Sequence, residues 1–144
     1  MIEITCPGPP VPKGRPRFTV YSAGGRQRTR IYTPGKTRVY EVKLAGYAAE
    51  AMKGQAPLDG PLSVIMKAFF PIPKSWTKAR KRRAHYVTSK PDLDNIAKSL
   101  DALNNIVFKD DAQVVDLFVR KLYDEQPRLE ITVQRMPDMG EMRE

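Results

Sequence analysis

The sequence has very few of the side chains from which disulfides and zinc sites are built. Cys6 is the one cysteine and His85 the one histidine among 144 residues. A single cysteine excludes an internal disulfide, and these two side chains are too few for a structural zinc site. The sequence also has no apolar run of membrane-spanning length and no signal-peptide pattern. We therefore expect a cytoplasmic protein that has no membrane partner and folds around a hydrophobic core alone.

Acidic residues are outnumbered by basic ones. The chain has 25 Lys and Arg against 16 Asp and Glu, which gives a net charge of +9. This surplus favours a polyanionic partner, nucleic acid above all. The length suits one domain, which we place at residues 1–136, followed by a polar C-terminal tail at 137–144.

The basic residues that we expect to contact DNA fall in three groups. The first begins in the Pro- and Gly-rich residues 7–16, and the second lies in residues 18–33, which predict either a β-hairpin or a flexible basic arm at 22–30. Two-residue spacing in an extended chain directs such side chains to one side, where they can meet a phosphate backbone. The third group lies in a short helix predicted after Ser75. The candidate DNA-binding residues are Lys13, Arg15, Arg17, Arg26, Arg28, Arg30, Lys78, Arg80, Lys81, Arg82 and Arg83.

Hydrophobic periodicity predicts an α+β fold. A long helix begins at a Thr33 cap, and a second helix is predicted at 94–104. The predicted apolar face of the long helix contains Val39, Val42, Leu44, Ala45, Ala48, Ala49 and Met52. The last two strands are expected to pair as an antiparallel hairpin. We expect a single mixed sheet with helices packed on one face. The predicted strands lie at 1–6, 61–71, 114–123 and 129–133.

Five aspartates lie close together in this otherwise basic chain. Asp92 and Asp94 are two residues apart, so an extended approach to the second helix directs both carboxylates the same way. A strand beside that helix would bring Asp111 back towards them. Oxygen donors from three positions suit Mg²⁺, which keeps several waters and shares substrate phosphate. The same stretch also holds Asp101 and Asp110.

Several motifs surround these aspartates. They are KPDLDN at 90–95, Lys98, DALN at 101–104 and DDAQV at 110–114, with PVPKGRPR at 10–17 near the N-terminus. Together these motifs resemble the RusA family of Holliday junction resolvases. The resemblance departs from the family pattern at one place, because three residues rather than four lead from Lys98 to Asp101.

The resemblance implies a function as well as a fold. Asp92, Asp94 and Asp111 would be the catalytic, metal-binding acids and Lys98 the essential lysine, with Asp110 and Asp101 second in rank. The cofactor would be Mg²⁺, for which Mn²⁺ can substitute, with no small-molecule cofactor. The enzyme would be a dimer-forming endodeoxyribonuclease, a homodimer that cuts branched DNA, in particular four-way junctions, by paired symmetric nicks. Proteins of this kind are commonly encoded by phages and prophages.

Other interpretations remain open. Lys98 lies one helical turn after Asp94, so the two could form an ordinary surface ion pair. The chain could also be a non-catalytic DNA-binding module whose aspartates are caps and turn residues, although clustered carboxylates beside DNA are costly without a cation. An RNA-associated protein is less favoured, because aromatic stacking motifs are lacking. Trp76 either stacks on a base or anchors the core, and His85 is most simply incidental.

Overall fold

The computed structural model describes residues 1–14, 17–32 and 35–137. Arg15, the cap predicted at Thr33 and the tail from residue 138 onwards lie outside the described residues. Among the described residues, no helix is both long and apolar enough to cross a membrane. The elements are β1 (Ile2–Pro7), β2 (Arg17–Ala23), β3 (Arg26–Tyr32), α1 (Gly35–Met52), β4 (Leu62–Pro71), α2 (Lys78–Arg82), α3 (Leu93–Ala97), β5 (Val114–Asp124) and β6 (Arg128–Arg135).

Four strands form one mixed sheet in the order β1-β6-β4-β5, with β4 and β5 parallel and the other neighbours antiparallel. The predicted hairpin between the last two strands is therefore wrong, because β4 lies between them. The alternation of apolar residues specifies which face of a strand is buried, but it does not specify which strands lie next to it. Since β4 ends at Pro71, paired with Asp124, the short connection from β5 to β6 can pass beyond the end of β4.

One face of the sheet is buried under helices. Alternation on β1, β4 and β6 directs every second side chain into the core, as the period of two requires. Helix α1 packs on β1, and α3 packs beside β5. The expected α+β fold, a mixed sheet with helices on one face, is confirmed. The strand residues of the core are Ile2, Ile4, Cys6, Leu62, Val64, Met66, Ala68, Leu129, Ile131 and Val133.

Helix α1 buries only part of the face predicted for it, namely Leu44, Ala48 and Met52. Val39 and Val42 are 73% and 74% exposed. The buried residues instead recur every four positions, as Tyr40, Leu44, Ala48 and Met52. Four-residue spacing forms a narrow stripe along a helix, and this stripe meets the sheet.

The predicted second helix at 94–104 changes its winding at Lys98. The α-helical part ends at Ala97, and a 3₁₀ helix continues over Lys98–Leu103. A 3₁₀ helix has three residues per turn, so residues three apart lie one above the other. Asp101 therefore lies one turn after Lys98, and the tighter winding accommodates the shortened spacing between them. The helix ends as predicted, with Asn105 in the left-handed region at φ 67°.

The hairpin predicted within 18–33 is confirmed as a separate two-stranded sheet of β2 and β3. All described side chains of β3 are exposed. Phe18 and Ile31 pair across the hairpin and are 71% and 75% exposed. The hairpin contributes nothing to the main core.

Candidate active site

A short turn presents Asp111 at the start of β5. The residues Asp111–Gln113 form a 3₁₀ turn that Asp110 caps, because its carboxylate accepts a hydrogen bond from the Ala112 N–H at 3.0 Å. The Gln113 side chain closes the same turn by accepting from the Asp110 N–H at 3.2 Å. It also donates to the carbonyls of Leu58 and Gly60, both at 3.0 Å. These bonds attach the turn to the loop before β4 and fix the position of Asp111.

The carboxyl groups of Asp101, Asp110 and Asp111 share hydrogen bonds. The bonds to Asp101 and Asp110 raise the pKa of Asp111 to about 6, with smaller contributions from desolvation and charge repulsion. Burial alone would raise the pKa of Asp101, but hydrogen bonds from Lys13 and Asp111 outweigh it and lower that pKa. Bonds from the Ala112 N–H and from Asp111 lower the pKa of Asp110. Of the three carboxyl groups, Asp111 is therefore the one that is protonated most readily, because it shares hydrogen bonds with the other two and because negative charges in the cluster repel.

Lys13 fastens the N-terminal loop to this cluster. Its ammonium lies 2.6 Å from the Asp101 carboxylate and 3.4 Å from Glu41 on α1. Its backbone N–H donates to the Asn95 carbonyl at 3.1 Å. The hydrogen bond with Asp101 is the main reason that the pKa of Lys13 is raised. The ammonium thus contacts protein carboxylates here, and the DNA contact expected of Lys13 stays a prediction.

Asp92, Asp94 and Lys98 lie on and around α3. Asp92 is the N-cap residue, but its side chain makes no capping bond, so the carboxylate is left for other contacts. All three side chains are exposed, and none forms an ion pair within the described part of the chain. The surface pair between Lys98 and Asp94, the simpler alternative for this lysine, is absent. Lys98 instead lines an open groove of about 360 Å³ together with Asp111.

The segment leading to Asp92 is held in place by a residue that sequence reasoning missed. The Lys121 ammonium donates to the Ser89 carbonyl at 2.7 Å and to the Pro91 carbonyl at 2.9 Å. The Tyr123 N–H also donates to the His85 carbonyl, at 2.9 Å. The second half of β5 therefore positions the approach to Asp92. A lysine within a strand carries no sequence signal for such a role.

The acidic residues fit a divalent cation in their chemistry. Carboxylate oxygens are the donors that Mg²⁺ and Mn²⁺ prefer, and a bound cation would offset the repulsion that contributes to the raised pKa of Asp111. The structure brings Asp111 to Asp101 and Asp110, whereas Asp92 and Asp94 are exposed on α3. In residues 1–14, 17–32 and 35–137 no three acidic, His or Cys side chains converge closely enough to form a metal site.

Two basic surfaces lie outside this cluster. On the hairpin, Arg28 pairs with Tyr21 and Arg30 with Thr19, so the arginines and a tyrosine share one face. Arg26 lies on the same face by alternation. On α2, described basic side chains are mostly exposed, and Thr77 caps the helix by accepting from the Arg80 N–H at 3.2 Å.

Comparisons with known proteins agree with this arrangement. The family described as endodeoxyribonuclease RusA matches residues 7–134. The uncharacterised protein YqaN of Bacillus subtilis (strain 168) is 34% identical over 142 residues, covering 94% of this chain and 96% of its own. The crossover junction endodeoxyribonuclease rusA of Lactococcus phage r1t is 37% identical over 75 residues, covering 51% of this chain and 53% of its own.

An acidic cluster beside a lysine, in a basic α+β chain with this similarity, defines an endodeoxyribonuclease. The chain belongs to the RusA family of these enzymes.

Proposed function

We propose that this protein resolves Holliday junctions and related branched DNA in the cytoplasm, using Mg²⁺ or, in its place, Mn²⁺. The observation that carries the proposal is the groove that Asp111 and Lys98 line together. Family membership supports hydrolysis of DNA, and the name of the phage relative supports a crossover junction as the substrate.

Asp92, Asp94 and Asp111 are the residues that would hold the cation. When bound, such a cation activates a water and neutralises charge on the scissile phosphate. Lys98 would stabilise negative charge on the phosphate as it develops, since it lies in the groove beside Asp111. Asp101 and Asp110 act as positioning residues, because both hydrogen-bond to Asp111.

The basic residues outside the cluster would bind the DNA backbone. Arg26, Arg28 and Arg30 line one face of the hairpin and would follow one arm of a junction. The basic residues of the α2 region, Lys78, Arg80, Lys81, Arg82 and Arg83, would hold a second arm, and Arg15 and Arg17 would add further contacts with phosphates. Each such contact with a phosphate strengthens binding in a salt-dependent way and carries no sequence preference.

A homodimer fits this function. Two nicks related by a two-fold axis need two active sites related in the same way. One domain of residues 1–136 supplies one such site, so paired symmetric nicks require a second copy of the chain.

The test is cleavage of a labelled synthetic four-way junction beside a three-way junction and a linear duplex of matched sequence. We expect Mg²⁺-dependent cutting of the four-way junction at a rate at least tenfold above that of the duplex. Equal cutting of all three substrates would contradict junction selectivity. Binding without cleavage in Mg²⁺ and in Mn²⁺ would instead support a non-catalytic DNA-binding module.

A further inference from the structure

An aromatic and basic groove lies beside the active site and takes no part in the chemistry above. It has a volume of about 650 Å³, within the range of cavities that hold small organic ligands. Its walls come from the α2 region, from the segment after it and from the end of β5. The lining residues used below are Trp76, Arg80, Arg83, Tyr86, Ser89 and Tyr123.

The groove carries stacking surfaces together with positive charge. The Arg80 guanidinium lies 3.8 Å above the ring of Trp76, and Tyr123 meets that ring edge-on at 5.2 Å between centroids. Tyr86 is 64% exposed, although its backbone is fixed by a bridge to Leu122. Unpaired bases stack on aromatic rings and on guanidinium planes, while the adjoining phosphates attract arginine. Bases within a duplex are already stacked on one another, so their faces are not available to these side chains.

The groove is also close to the predicted catalytic acids. Ser89 lines it and is three residues before Asp92, a separation of at most about 11 Å in an extended chain. Successive nucleotides of one strand rise about 3.4 Å in duplex DNA, so this separation corresponds to about three nucleotides. Lys121 fixes the intervening segment through its bonds to Ser89 and Pro91. An occupied groove would therefore place a phosphate near Asp92.

We propose that this groove binds an unpaired nucleotide of the DNA strand next to the branch point. The proposal rests on the proposed function, because it assigns branched DNA to the same active site. It also gives a physical reason for selectivity. A branch point supplies bases that are easily unstacked, whereas a base in a duplex must first lose its stacking and pairing.

The chain offers an internal probe, because Trp76 is its one tryptophan. The experiment follows Trp76 emission while the wild-type protein is titrated, in EDTA, with a four-way junction, a matched linear duplex or a short oligothymidylate. Anisotropy of labelled DNA confirms saturation in each titration. We expect the junction and the oligothymidylate to change the emission at least threefold more than the duplex. An equal response to the duplex, or no response to saturating junction, would overturn the proposal.

Variants separate stacking from folding. Tyr86→Ala removes an exposed ring and should weaken oligothymidylate binding about tenfold, the effect of losing one stacked base. Duplex binding should stay within twofold, and Tyr86→Phe should retain wild-type affinity. The matched control is Tyr47→Ala, which removes a partly exposed ring from α1 and should change neither affinity. If Tyr86→Ala and Tyr47→Ala behaved alike, the groove would not be the site.

Cleavage assays on the same preparations distinguish the two proposals. A junction that is cut in Mg²⁺ but leaves Trp76 emission unchanged would refute the groove and preserve the nuclease function. A junction that changes Trp76 emission but is never cut would do the reverse.

Discussion

The pKa of Asp111 is set by the side chains around it. Its carboxyl lies between two others, and the hydrogen bonds that it shares with them raise its pKa to about 6. A folded-state pKa above the unfolded value means that protonation stabilises the fold. That contribution is fully present below about pH 4 and is lost as the pH rises through about 6. The lowered pKa values of Asp101 and Asp110 act in the opposite direction, so their contributions are lost as the pH falls.

Asp111→Asn should therefore stabilise the protein at high pH. The amide keeps a hydrogen-bond donor for Asp101 and Asp110 but carries no charge. We expect the variant to be more stable than the wild type by up to about 1 kcal/mol at pH 8, the scale of an exposed charge interaction. Near pH 4 the difference should vanish, because Asp111 is then already protonated. Thermal unfolding across this pH range measures the effect, and a difference that is independent of pH would contradict it.

Lys13 should act on stability more than on DNA affinity. Its ammonium contacts Asp101 and Glu41, so Lys13→Ala leaves two carboxylates without their cation. We expect a loss of about 1 kcal/mol in the free energy of unfolding at pH 7. The salt dependence of duplex binding tests the predicted DNA contact separately. A slope reduced by about one would show that Lys13 also contacts a phosphate, and an unchanged slope would contradict that contact.

The sequence predicted the catalytic residues of this site but not the side chains that hold them in place. Motif resemblance proposed Asp92, Asp94, Asp111 and Lys98 as the catalytic set. It could not indicate that Lys13 pairs with Asp101, because these residues are 88 positions apart and meet only through the fold. The same holds for Lys121, whose partners are backbone carbonyls of another segment.

At the scale of elements, the positions of the strands were predictable and their pairing was not. Alternating side chains located β1, β4 and β6 and their buried faces. The order of the sheet depended on where a crossing connection could pass, which the period of two does not encode. The winding of residues 93–103 was likewise hidden, since a 3₁₀ helix and an α-helix bury similar apolar residues over so short a stretch.

The arginine face of the hairpin should contribute to binding without contributing to the core. Replacing Arg28 and Arg30 together by Gln should lower the salt-dependence slope of duplex binding by about 1.8, which corresponds to two phosphate contacts. The midpoint of thermal unfolding should stay within about 2 °C, because surface substitutions change stability little. Lys53→Gln combined with Arg135→Gln makes the same change in charge elsewhere. If this control lowered the slope equally, net charge would account for the effect.

For the whole molecule, opposite charges are kept apart for a reason. The chain has a net charge of +9, yet the carboxyl groups of Asp101, Asp110 and Asp111 crowd together, and Asp111 lines the groove beside Lys98. Such crowding opposes DNA binding unless a cation lies between the carboxylates and the phosphate. Under the proposed function, the basic surfaces would bind DNA generally and the carboxylates would confine hydrolysis to one place. Charge and motif predicted this division, which stays a prediction.

The central claim is that Asp92 belongs to the catalytic site of a junction nuclease. The most direct measurement is single-turnover cleavage of a labelled four-way junction, with and without Mg²⁺, by wild type, Asp92→Asn and Asp116→Asn. Asp116 lines the groove of Lys98 and Asp111, has no assigned role in the chemistry, and is the matched control for loss of one carboxylate. We predict paired nicks in opposite strands by the wild type and by Asp116→Asn. Asp92→Asn should still bind the junction but lose at least about 10³-fold in rate. Cleavage by Asp92→Asn at the wild-type rate would contradict the assignment.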